Sequence, residues 1–194
     1  MMKRLLFLLS LLATVLMVVG CAKQSPAPAA ARTQEPSVSV AWGEQVRGLQ
    51  AGLSLKGVSK KPRTSVTLVL HVRNASESPL RILKLSSRAT FWGECLPLDV
   101  SSAGTPRKYQ GPVLEPPPPP PDSAYAYLQP GATDSVKVTM YPEHWKLAPS
   151  TEAEVAFVFQ NQLQDVEDLW VGVARSEKVK VKVVPNTPDA GDGK

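Results

Sequence analysis

Histidine and cysteine are scarce, with two of each in 194 residues. Metal centres and nucleophile–histidine pairs draw on those side chains, and the sequence offers neither His-x-x-x-His nor a close pair of cysteines. The expectation is a protein with no metal and no cofactor. Gly-x-Ser-x-Gly, a glycine-rich phosphate loop and the Ser, Lys and Asp sets of penicillin-binding enzymes are also missing, so no catalytic residue and no small-molecule substrate are assigned. Charge of one sign is thin as well. The 22 Lys and Arg face 17 Asp and Glu, a formal charge of +5 that becomes +3 once Lys3 and Arg4 leave with the leader described below. A nucleic-acid binder gathers basic residues on one face, and this excess is too small for that role. No window of a dozen residues between 42 and 184 keeps a helical period, and 19 prolines argue further against a mainly helical protein.

What is present first is a leader. Lys3 and Arg4 precede an apolar run from Leu5 to Val19, interrupted only by Ser10, Ala13 and Thr14. A positive start and a short apolar stretch ending on a small residue make a secretory signal, since a spanning helix needs about 20 apolar residues. The end of the run, Val18-Val19-Gly20-Cys21, resembles the lipobox of bacterial lipoproteins. The resemblance implies cleavage between Gly20 and Cys21 and lipidation of Cys21, palmitate included. Each buried methylene contributes roughly 0.8 kcal/mol, so two or three acyl chains hold a protein on the membrane effectively permanently. Ala22 stands where such lipoproteins place Asp for inner-membrane retention. The resemblance therefore implies the outer membrane, facing the periplasm or the cell surface.

Composition divides the rest. Residues 1–20 are the signal peptide, and residues 21–41 are the lipidated cysteine with an Ala/Pro/Ser-rich tether. Such a coil reaches roughly 25 Å. Residues 42–185 are the folded domain, and 186–194, a polar stretch with no period, are a disordered tail.

Within the domain, short apolar runs alternate with turn residues. Ser65 to Arg73 is the clearest strand, with Val66, Leu68, Leu70 and Val72 on one face and Thr67, Val69, His71 and Arg73 on the other. Further strands are expected at Leu49–Lys56, Leu80–Leu85, Cys95–Val100, Asp134–Tyr141, Ala153–Gln160, Leu169–Ala174 and Lys178–Val184. Seven to eight short strands point to an all-β antiparallel sandwich. In the last, Lys178, Lys180 and Lys182 alternate with Val179, Val181 and Val183, the pattern that guards a sheet edge.

Several pieces together resemble the immunoglobulin-like or fibronectin-like modules found outside the bacterial cytoplasm. They are Trp42-Gly43-Glu44 with Gly48 to Leu53, the strand closing on Asn74, Leu128-Gln129-Pro130-Gly131 before Val136, and Trp170-Val171-Gly172 before the final strand. The resemblance implies an extracytoplasmic β-sandwich of a kind that serves adhesion, scaffolding, sensing or inhibition. The inter-sheet cystine of antibody domains is missing. With Cys21 lipidated, Cys95 has no partner within the chain, which leaves a buried small hydrophobe, an intermolecular bridge or a reactive thiol, and its apolar surroundings favour burial.

Of the two histidines, His71 falls at a surface position. His144 lies in Tyr141-Pro142-Glu143-His144-Trp145, a short helical turn with Pro142 first and Trp145 folded toward the core. Asp165, Glu167 and Asp168 sit in a polar loop. Asn74-Ala75-Ser76 matches a glycosylation acceptor, which carries no information in a bacterial lipoprotein.

The most distinctive segment is the run Pro116, Pro117, Pro118, Pro119, Pro120 and Pro121, followed by Tyr125 and Tyr127. Six prolines form a polyproline II rod of about 19 Å that cannot join a sheet. It is either a stiff connector or a preformed ligand for an aromatic groove. The expected function is a non-enzymatic lipoprotein, membrane-bound through Cys21, whose sandwich binds or organises another envelope protein. The alternative is an inhibitor or accessory subunit of an extracytoplasmic enzyme, acting through the polyproline loop.

Overall fold

The structure is a computed structural model, and it describes residues 39–60, 63–92, 95–112, 115, 118–161 and 166–185. The lipobox, most of the tether, Pro116, Pro117, Asp165 and the tail lie outside the described residues. In chain order the elements are β1 (Ala41–Trp42), β2 (Leu49–Ser59), β3 (Ser65–Asn74), β4 (Leu80–Leu83), α1 (Leu85–Trp92), β5 (Leu98–Ser102), β6 (Thr105–Arg107), β7 (Tyr125–Leu128), β8 (Thr133–Met140), β9 (Glu152–Asn161), β10 (Gly172–Arg175) and β11 (Val179–Lys182). Short 3-10 turns occupy Asp122–Ala124 and Pro142–Trp145.

The chain is an all-β antiparallel sandwich. One sheet runs β1-β2-β3-β8, and the other runs β10-β9-β5-β6 with β11 also against β9. The two face each other, β2 lying against β9, β10 and β11. Period-two patterning decides the inner faces. Val66, Leu68, Leu70 and Val72 of β3 are fully buried, as are Leu49, Ala51 and Leu53 of β2. Ala153, Val155, Phe157 and Phe159 close the core from β9. Each such leucine, valine or phenylalanine contributes roughly 1.5–3 kcal/mol by leaving water.

Setting aside β1, β4 and β7, and taking β10 with β11 as one interrupted strand, seven main strands remain. The first, second and fifth (β2, β3, β8) form one sheet, and the third, fourth, sixth and seventh form the other. The interruption is a bulge. Arg175 pairs with Val158 but Val179 pairs with Val155, so three residues oppose two. The Ser176 hydroxyl fills the gap, accepting from the buried Phe157 amide at 2.9 Å and donating to the Glu177 carbonyl at 2.8 Å.

β4 and β7 form a separate two-stranded ribbon. It continues the β3/β8 pair around a corner, because β3 leads into β4 and β7 leads into β8. Asn74 is the hinge of that corner and has no exposed surface. Its Nδ2 donates to the carbonyls of Leu128 and Ser78, and its Oδ1 accepts from the amide and hydroxyl of Ser76. An acceptor motif for sugar is thus a buried structural side chain.

Three sequence expectations are corrected. Leu85 starts α1 rather than ending a strand. Cys95 and Leu96 precede the strand, which begins at Leu98, because the Cys95 amide closes the helix end on the Trp92 carbonyl at 2.8 Å. Leu169 and Trp170 turn to β4, where the Trp170 amide bonds the Arg81 carbonyl at 2.8 Å, and only from Gly172 does the chain pair with β9. Among the described residues the lysine-bearing strand pairs with β9 alone, which makes it an edge.

Candidate functional site

The described residues on either side of the proline run are held to the sandwich. Before it, the Tyr109 ring packs on Trp145 at 5.1 Å, and the Tyr109 hydroxyl donates to the Pro112 carbonyl at 2.9 Å. The Gln110 amide bonds the His144 carbonyl, which ties this end to the Pro142–Trp145 turn. After it, the Ala124 amide closes on the Pro121 carbonyl at 2.9 Å, and the Lys84 amide takes the Ala124 carbonyl at 3.0 Å. Pro121 has φ −67° and ψ 160°, polyproline II geometry. Pro118, Pro119 and Pro121 are exposed and Pro120 half-buried.

The tyrosines follow on β7. Tyr125 pairs with Leu83 and Tyr127 with Arg81, so both project to one face of the ribbon. Tyr125 is half-buried beneath the Arg81 guanidinium, 5.3 Å from its ring centroid. Tyr127 is 57% exposed, the one large apolar side chain so exposed among the described residues. Arg81 also donates to the Glu167 carbonyl at 2.9 Å, anchoring the ribbon to the β9–β10 connection. The arrangement offers aromatic and proline surface on a fixed frame.

The remaining candidates lie elsewhere. His71 is half-buried rather than a free surface residue. Its Nε2 is 2.9 Å from the Ser54 hydroxyl on β2, and its Nδ1 is 2.7 Å from the Ser135 hydroxyl on β8. Trp42 covers it with centroids 5.8 Å apart, and can do so because position 52 is glycine, whose missing Cβ would stand 2.6 Å from the indole. Burial lowers the His71 pKa below 6.5, with Lys56 adding to the effect. Ser54 is itself 2% exposed, so this hydrogen-bonded row joins three strands. His144 packs edge-on against Tyr109 at 5.6 Å. Cys95 is a free thiol, half-buried rather than fully buried as expected. No group of three or more metal-ligating side chains is found among the described residues.

Sequence reasoning missed a second charged feature. α1 lays Arg88 against β9, where its Nη1 donates to the Gln160 carbonyl at 2.6 Å and its guanidinium sits 4.5 Å over the Phe159 ring. Burial pulls its pKa down to about 10, with Tyr125 nearby acting the other way, so it remains charged at neutral pH. Its Nε is buried with no hydrogen-bond partner among the described residues. No local pattern announces this, because α1 is eight residues without an apolar stripe. Comparison of the sequence with protein-family models and with curated proteins gives no match.

Proposed function

We propose that the chain is a lipid-anchored envelope protein whose sandwich is a non-enzymatic binding module for another envelope protein. The observation that carries the reading is Tyr127, exposed on the strand that follows a proline run whose flanking residues are held at both ends. Aromatic side chains on rigid supports are favoured binding anchors, since little conformational freedom remains to be lost. The Val18–Cys21 motif supports anchoring through lipid on Cys21, at the outer membrane. The division of seven strands as one, two, five against three, four, six, seven supports the fibronectin-like reading of the module.

Two experiments test the parts separately. Labelled palmitate enters the wild-type protein and not Cys21→Ser; equal labelling would remove the anchor. A photo-crosslinking residue at position 127, introduced in living cells, captures a discrete envelope protein, whereas the same residue at Lys182 does not. Absence of a specific adduct at 127 would sink the binding surface. If the adduct is an enzyme whose activity rises when residues 116–121 are deleted, the inhibitor reading replaces the organising one.

A further inference from the structure

β9 outruns its neighbour. β5 pairs with it as far as Leu98 opposite Phe157, and the Val158 amide reaches the Pro97 carbonyl at 2.9 Å. Beyond that point β9 continues to Asn161 with only β10 beside it among the described strands. Alternation along the ladder turns the backbone groups of Gln160 the same way as those of Val158, away from β10. There they face a cleft of about 640 Å³, lined by Arg88 and Trp92 of α1 and by Gln160 and Asn161 of β9.

Arg88 is the unusual member. Asp99 and Arg175 also line the cleft, but they satisfy each other at 3.1 Å. No ion pair joins Arg88 to a described carboxylate. A half-buried cation is tolerated here because one carbonyl accepts from it and one ring face lies beneath it, yet neither contact neutralises its charge. Charge complementarity and a strand edge with no described strand beside it meet in one place.

We propose that this cleft takes a carboxylate presented by an extended peptide, with the Arg88 guanidinium as counter-ion and the Gln160 amide as backbone partner. Peptides commonly add to a sheet edge through main-chain hydrogen bonds while a pocket reads one side chain. A guanidinium provides a planar fork matched to a carboxylate. Trp92 supplies apolar wall for the neighbouring side chains. This site is independent of the Tyr127 surface, and either can fail alone.

The test uses the full lipidated chain in detergent micelles, labelled with nitrogen-15. The probes are a blocked pentapeptide, acetyl-Thr-Val-Asp-Val-Thr-amide, its Asn counterpart, and sodium phosphate. Expected is a saturable shift of the Arg88 Nε–H and Gln160 amide resonances with the Asp peptide, and binding at least about tenfold weaker with the Asn peptide. Arg88→Gln removes that preference, whereas Arg175→Gln, which breaks a pair already satisfied, changes affinity by less than about threefold. Because the resonances are read on the unsubstituted protein, the result survives if Arg88→Gln fails to fold. Equal titration by both peptides, a phosphate-induced Arg88 shift equal to that of the Asp peptide, or no shift at millimolar peptide overturns the proposal.

Discussion

The side-chain amide of Asn74 donates to the backbone carbonyl of Leu128 at 2.8 Å, joining the end of β3 to the end of β7 across the corner of the sandwich. Four side-chain bonds and two backbone bonds, to Ala132 and from Gly131, satisfy Asn74 completely while it is sealed from water.

Asn74→Ala therefore strands buried carbonyls. The expected loss is about 3 kcal/mol, since each unsatisfied buried group costs about 1–3 kcal/mol. Asn74→Asp loses at least as much, because oxygen would then face two carbonyls. Denaturant unfolding of the mature protein measures both, and a loss near zero would show that the corner tolerates another arrangement.

Ser176→Ala removes the acceptor of the Phe157 amide inside the bulge. A loss of about 1–3 kcal/mol is expected, with Ser176→Thr recovering part of it. Equal stability of the alanine and threonine variants would show that the hydroxyl is not what holds the interruption between β10 and β11.

His71 gives stability a pH dependence of definite sign. Its folded pKa lies below 6.5, so the unfolded chain binds the proton more readily. The stability held by neutral His71 is complete above the unfolded value and is lost as pH falls through the folded one. Tm accordingly declines as pH falls through and below 6.5, and His71→Gln flattens part of that decline. An identical profile in the variant would remove His71 as its source.

The edge lysines act on association more than on stability. Lys178 pairs with Glu154 at 2.8 Å and Lys180 with Glu152 at 3.2 Å, both in the open. Exposed pairs of this kind contribute little. Replacing Lys178, Lys180 and Lys182 by threonine should leave Tm almost unchanged while raising light scattering at high protein concentration, because an edge loses its charged guard. A large drop in Tm without scattering would reverse that assignment of roles.

How much of this the chain announces depends on how local its causes are. Alternation in Ser65–Arg73 reads directly as β3, and the Val/Lys alternation reads as an edge, because a strand's burial pattern is written in its own residues. α1 is illegible for the opposite reason. Its first amide, at Leu85, donates to the carboxylate of Asp134 on β8 at 2.7 Å, so the cap lies 49 residues away. The proline rod and its tyrosines stand out in sequence, but the exposure of Tyr127 and the shelter of Tyr125 follow from Arg81 on the paired strand. Arg88 is hidden most deeply, since its setting depends on where β5 stops.

α1 is fastened at its start to one sheet, through Asp134 of β8, and midway to the other, through the Gln160 carbonyl of β9. It behaves as a rivet through two plates. Sliding one plate over the other must shear a carboxylate–amide bond or a guanidinium–carbonyl bond before the apolar layer between them can yield. A body held to a membrane at one end and gripped by a partner elsewhere would thus resist lateral load as a single block.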